Sequence, residues 1–129
     1  MFPAIAVREL VANALIHQDL DEHGMFVTID IYSDRMEISN PGLSPIDPNR
    51  LLDSYQSRNE SLADIMRRLR ICERQGSGID KVFLDVEAWQ LPAPDFRNGE
   101  KHFTALLFSQ IPFPEMSRND KIRACYQHC

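Results

Sequence analysis

The stretch Arg8-Glu9-Leu10-Val11-Ala12-Asn13-Ala14-Leu15-Ile16-His17-Gln18-Asp19 decides the fold, because two periodic signals share one short segment. At about 100° per residue, Val7, Leu10, Val11, Ala14 and Leu15 fall on one face of a helix predicted from Ala4 to His17. Glu9, Asn13 and His17 recur every fourth residue on the other side. Such a helix lays its apolar face on a sheet and presents a carboxylate, an amide and an imidazole in a row. Taken alone, Glu-x-x-x-Asn on an amphipathic helix is ordinarily a solvated face, so its meaning depends on the motifs that accompany it along the chain.

After this helix, QDLDEHG is rich in turn formers, and Met25 to Tyr32 then alternates with β-branched residues. With Arg35 to Ser39 it predicts a β-hairpin closed at Ser33-Asp34. Asn40-Pro41-Gly42 is expected to end the second strand, since proline cannot continue a ladder. A polar stretch, Leu43 to Arg74, encloses a helix predicted over Ser61 to Cys72, with Ser61 and Asp64 as a capping-box-like start. Gly76-Ser77-Gly78 opens a further helix with Ser77 as its expected N-cap, and Ile79, Val82, Phe83 and Val86 form its apolar stripe. After Leu91-Pro92-Ala93-Pro94, the run His102 to Ile111 reads as a buried strand stopped by Pro112 and Pro114. This order predicts an α/β fold, a two-layer sandwich of a mixed β-sheet with helices on one face. It also places a domain over residues 1–112, with 113–129 as a linker and a further helix capped by Ser117.

Three features along this order suit a phosphorylated ligand. Glu9 and Asn13 offer hard oxygen donors one helical turn apart. Mg²⁺ needs only one or two protein oxygens beside phosphates and water, and a carboxylate can hold or deprotonate an attacking water. Gly76-Ser77-Gly78 puts backbone N–H groups and a helix N-terminus where an anion can approach. Asn40 could hydrogen-bond a base edge, with Gly42 leaving room for the ring. Each also has a plain reading: a solvated face, a turn, a strand end.

The series carries more than its parts. RELVANALIHQD, DRMEISNPG, RNESLADIMRRL and ERQGSGIDKV, taken in sequence, resemble the N, G1 and G2 boxes of the Bergerat ATP-binding fold of histidine kinases, gyrase and MutL. They are most similar to its helicase-related branch, found in bacterial transcriptional regulators between a Schlafen-AlbA domain and a winged helix. The resemblance covers about residues 3–111. It implies ATP and Mg²⁺ as cofactors, with Glu9 as the water-activating glutamate and Asn13 as the magnesium ligand. It further implies Asn40 and Gly42 at the adenine, Gly76, Ser77 and Gly78 at the phosphates, and residues 43–75 as the lid. Two departures stand out: Asn40 replaces the usual aspartate, and Ser44 stands where a second G1 glycine belongs. The resemblance also implies a fold that is incomplete at its N-terminus, and residues 113–129 as the opening of a winged helix cut from a longer regulator.

Composition narrows the partners. Fourteen Lys and Arg against nineteen Asp and Glu give a net charge of −5, which disfavours non-specific nucleic-acid binding by this segment. DNA contact is therefore expected through other domains of the parent, and the cluster Arg67, Arg68, Arg70 and Arg74 reads as helix-end charge. No apolar run approaches a membrane span and no secretory signal opens the chain, so the expected location is cytoplasmic, without a membrane partner. Cys72, Cys125 and Cys129 lack the second spaced pair of a zinc site and read as reduced thiols, even with His128 between the last two. No Gly-x-x-x-x-Gly-Lys-Ser/Thr loop occurs, so no helicase activity is expected. Three functional readings stand side by side. The first is an ATP-binding module with slow Mg²⁺-dependent hydrolysis. The second is a non-catalytic ligand-sensing or dimerisation module, the parent then forming a homodimer. The third is a structural spacer.

Overall fold

Helix α1 spans Ala4–His17 in the computed structural model, which describes residues 1–50, 57–73, 76–110, 113–115 and 118–128. Pro3 occupies its N-cap position, where a missing N–H costs no helical hydrogen bond. The N–H of Ala6, in the first turn and so without a helical acceptor, donates to Asp85 Oδ2 at 3.0 Å from a neighbouring helix. The apolar face is broader than the five residues that periodicity selects. Ala6, Ala12 and Ile16 are buried along with Leu10 and Ala14, while Leu15 is exposed. The reason is that α1 is packed on three sides, against a sheet and two other helices.

The remaining elements are β1 (Thr28–Ile31), β2 (Arg35–Pro41), α2 (Glu60–Arg68), α3 (Gly78–Ala88), β3 (Asp95–Asn98), β4 (His102–Phe108) and α4 (Arg118–His128). Short 3-10 turns lie at Pro48–Arg50 and Phe113–Glu115. The four strands form one sheet in the order β1-β2-β4-β3. Helices α1 and α3 cover the face that carries Met36, Ile38, Ala105 and Leu107, and with Val82, Val86 and Leu91 these build the main core. Helix α2 packs on α1 instead of the sheet, through Ala63 and Met66 against Ala12 and Ile16. The architecture is thus the expected two-layer α/β sandwich.

The sheet departs from expectation in being antiparallel at every described pairing, not mixed. Strands β2 and β3 do run in the same direction, as a helical crossover requires. The β3–β4 hairpin, however, inserts its return strand β4 between them. Periodicity does not anticipate β3, because DFRN is short and polar. The hairpin turns at Glu100-Lys101, with Gly99 N donating to His102 O at 2.8 Å. Strand β2 continues through the predicted break to Pro41, which pairs with His102 on the last rung of the ladder. There the missing donor is harmless, and the Pro41 carbonyl accepts from Asp19 N at 2.8 Å.

Helix α2 starts at Glu60 with Asn59 as its N-cap residue, so the Ser61/Asp64 capping box does not form. Its last-turn Arg67 and Arg68 pair with Glu60 and Asp64, in keeping with the helix-end reading of that basic run. Ser77 does occupy the N-cap position of α3, though without a side-chain capping bond. The strand expected to run to Ile111 ends at Phe108, and the expected cap at Ser117, the break at Pro112, and the residues Arg74 and Cys129 lie outside the described residues. Cys72 and Cys125 are free thiols. Among the described residues no helix is long and apolar enough to cross a membrane.

The Ala6–Asp85 bond clamps α1 to α3 at the N-terminal end of α1. Asp85→Ala is expected to lower stability by about 1–2 kcal/mol, the usual worth of a helix N-cap, as read by urea unfolding. Asp85→Asn keeps an acceptor and should cost less.

Candidate functional site

A cleft lies between α1, the sheet and the loops that enter α3; its empty space, open mouth included, is about 970 Å³. Ile38, Asn40, Phe103 and Ala105 from β2 and β4 form its floor. Glu9, Asn13 and His17 stand on the α1 wall, and Cys72, Glu73, Gly76, Gly78 and Ile79 make the opposite side. Leu43 to Ile46 close it along the loop leaving β2. Five of the seven residues singled out in the sequence therefore share one cavity: Glu9, Asn13, Asn40, Gly76 and Gly78. Gly42 and Ser77 do not line it.

Glu9 is the unusual member. A glutamate on a solvated face would be open to water, yet Glu9 is only 1% exposed. Its Oε1 accepts from Arg8 Nη2 at 2.8 Å and its Oε2 from Glu73 N at 3.5 Å. A Cβ built on Gly78 would stand 2.9 Å from Glu9 Oε2 and 4.0 Å from Asn13 Nδ2. The glycine at the start of α3 is thus what lets the α3 backbone approach the carboxylate and the amide together. Gly76, at φ +81°, takes the left-handed turn that brings the chain in.

Asn40 is 3% exposed on the cleft floor. Its Nδ2 donates to Pro41 O at 3.1 Å, an acceptor that only the nitrogen end of the amide can face. The Oδ1 atom is therefore the end left to accept from a ligand. Aromatic surface lies nearby, Phe96 and Phe103 being stacked at 6.1 Å with an interplanar angle of 11°. His17 has its pKa lowered, first by burial and then by the Arg58 charge, with Glu60 opposing, so it stands neutral at pH 7. Burial, and next the Glu9 carboxylate, push the Cys72 thiol up, which keeps it protonated.

Gly42 serves a different purpose from the one its position suggests. Its backbone lies at φ +88°, and a Cβ there would run into the Arg58 guanidinium and come 2.8 Å from Asp19 Cβ. The room above Gly42 is taken by Arg58, not left for a ring. Arg58 donates to His17 O and Leu43 O, each at 3.1 Å, and Asn59 Nδ2 donates to Ile16 O and Gln18 O at 2.8 Å. Two adjacent side chains thereby cap the C-terminal carbonyls of α1 and tie the turn after β2 to it. The same turn is held from its other side by Gly42 N to Lys101 O at 2.8 Å and Ser44 N to Asn98 Oδ1 at 2.9 Å. The role of Arg58 and Asn59 has no counterpart among the sequence expectations. Nothing in local periodicity marks a side chain that satisfies carbonyls some forty residues away.

Magnesium would find suitable donors here: the carboxylate of Glu9 and the side-chain oxygen of Asn13 are hard ligands beside an anion-compatible glycine turn. Among the described residues no group of three or more His, Cys, Asp or Glu side chains is placed to hold a metal by itself. A site completed by phosphate oxygens and water suits that donor set better than an all-protein cage.

A family profile described as "Putative ATP-dependent DNA helicase recG C-terminal" matches residues 24–107, more than half of the chain. The crystal structure of the DIP2311 protein from Corynebacterium diphtheriae is similar, with a TM-score of 0.76 and 26% sequence identity. The alignment covers 86% of this chain and 24% of that one, so the present chain spans about a quarter of that neighbour's length. No curated protein matches the chain.

Gly42→Ala is expected to destabilise by about 1–3 kcal/mol from the positive φ alone, with a further loss as Arg58 is pushed off its carbonyls. In denaturant unfolding, Gly42→Ala combined with Arg58→Ala should cost less than the sum of the two single changes, because both disturb one contact.

Proposed function

The chain belongs to this ATPase-like family, and on that premise we propose that it is an ATP-binding module of the Bergerat type, serving a longer bacterial transcriptional regulator. The observation that carries the reading is the burial of Glu9 against Gly78 with Asn13 alongside. A solvated helix face would leave this carboxylate open to water, whereas here it is enclosed next to an amide and a glycine turn. The family match begins at residue 24, so the α1 residues add support that the profile does not contain.

In this reading the adenine lies over the floor of the cleft, with its exocyclic amine donating to Asn40 Oδ1. Because Nδ2 is committed to Pro41 O, Asn40 presents an acceptor as an aspartate would. It therefore favours a 6-amino over a 6-oxo purine. The phosphates lie at the Gly76–Gly78 turn, where backbone N–H groups and the N-terminus of α3 face the cleft. Asn13 holds Mg²⁺, which would neutralise phosphate charge there. Glu9 is placed to orient a water and accept its proton. Hydrolysis is expected to be slow. DNA binding falls to other parts of the parent, with α4 as the first helix of a winged-helix domain. The word helicase in the family description does not carry over, since no P-loop occurs in the sequence.

Calorimetric titration of MgATP into the chain should give saturable binding that Asn13→Ala abolishes and that GTP reproduces only weakly. Glu9→Gln should still bind ATP while losing turnover, as measured by phosphate release. Equal turnover in Glu9→Gln would remove Glu9 from the chemistry, and silence from a folded sample would remove ATP.

A further inference from the structure

Around the buried Glu9, charged side chains converge on one atom. Glu73 Oε1 lies 2.5 Å from Lys81 Nζ and 3.4 Å from Arg8 Nη2, while the same Arg8 nitrogen lies 2.8 Å from Glu9 Oε1. Lys81 sits in the first turn of α3, three residues beyond Gly78, and Arg8 immediately precedes Glu9. Glu73 itself lines the cleft, and its N–H reaches Glu9 Oε2. Two cations drawn from different helices thus meet a single carboxylate oxygen beside the glycine turn. A plain surface ion pair needs neither the second cation nor a position on the cleft wall.

We propose that Glu73 is an internal stand-in for phosphate: its carboxylate holds Lys81 and Arg8 in the nucleotide-free protein, and an incoming polyphosphate displaces it and takes both cations. The inference rests on the nucleotide reading above and adds two phosphate ligands and a competitor that the N-box and glycine motifs do not contain. The exchange is electrically favourable. A triphosphate brings several negative charges and many acceptor oxygens, whereas Glu73 brings one charge. Both cations are about 43% exposed, so each existing pair is weakened by water and readily given up.

The test is calorimetry of MgATP, and separately of adenosine, with the chain and its Glu73→Gln, Lys81→Ala and doubly substituted forms at low salt. Glu73→Gln should bind ATP about fivefold more tightly, the scale of one half-exposed ion pair, and adenosine no differently. The gain should shrink in the Lys81→Ala background, because Glu73 then withholds one cation fewer, with Arg8 Nη2 still 3.4 Å away. If the parent chain binds ATP but Glu73→Gln binds it equally or more weakly, the competitor role is overturned and the nucleotide reading stands. A gain undiminished without Lys81 also overturns it, since Glu73 would then act by simple repulsion. If neither form binds ATP, the nucleotide reading itself fails and this inference falls with it.

Discussion

Burial of the Glu9 carboxylate is the constraint around which the site is arranged. A carboxylate taken out of water costs several kcal/mol unless partners replace its hydration. Here the replacement is Arg8 from the preceding residue and the Glu73 backbone from across the cleft. That requirement fixes the neighbours in turn. A Cβ at residue 78, where α3 begins, would stand 2.9 Å from Glu9 Oε2, so the carboxylate would have to leave its place. The Asp85–Ala6 bond then holds the same two helices at the other end of their contact.

The sheet supplies the other half of the geometry. Placing β4 between β2 and β3 puts Phe103 opposite Asn40 and Ala105 opposite Ile38, so one strip of the sheet forms the cleft floor. The β3–β4 hairpin also brings Asn98 and Lys101 to the turn after β2, where they hold Ser44 and Gly42. Arg58 and Asn59 bind that turn to the end of α1 from the opposite side. Helix, strand end and insert are thereby joined through carbonyls and amides that would otherwise lack partners, which is how a polar loop can border an apolar cleft.

Much of this is legible in the sequence, and unevenly so. Helix α1 is readable to its end residues, although its buried face is broader than its periodicity selects. The convergence of Glu9, Asn13, Asn40, Gly76 and Gly78 on one cavity accords with the order of their motifs. Most features that stay hidden depend on contacts distant in sequence. The burial of Glu9 cannot be seen from spacing that equally describes a solvated face. The antiparallel sheet depends on where a four-residue polar strand inserts. The real occupant of the space above Gly42 is an arginine sixteen positions away. The amide orientation of Asn40, which resolves its departure from aspartate, is set by the carbonyl of the very next residue and still requires coordinates to see.

The most direct measurement is a titration of MgATP into ¹⁵N-labelled protein, followed by NMR of backbone and side-chain amides. The account predicts saturable shifts centred on the side-chain amides of Asn13 and Asn40 and the backbone amides of Gly76 and Gly78. The exposed strand β1 should be untouched. Shifts that fail to saturate, or that saturate elsewhere and leave these four groups unmoved, would contradict it.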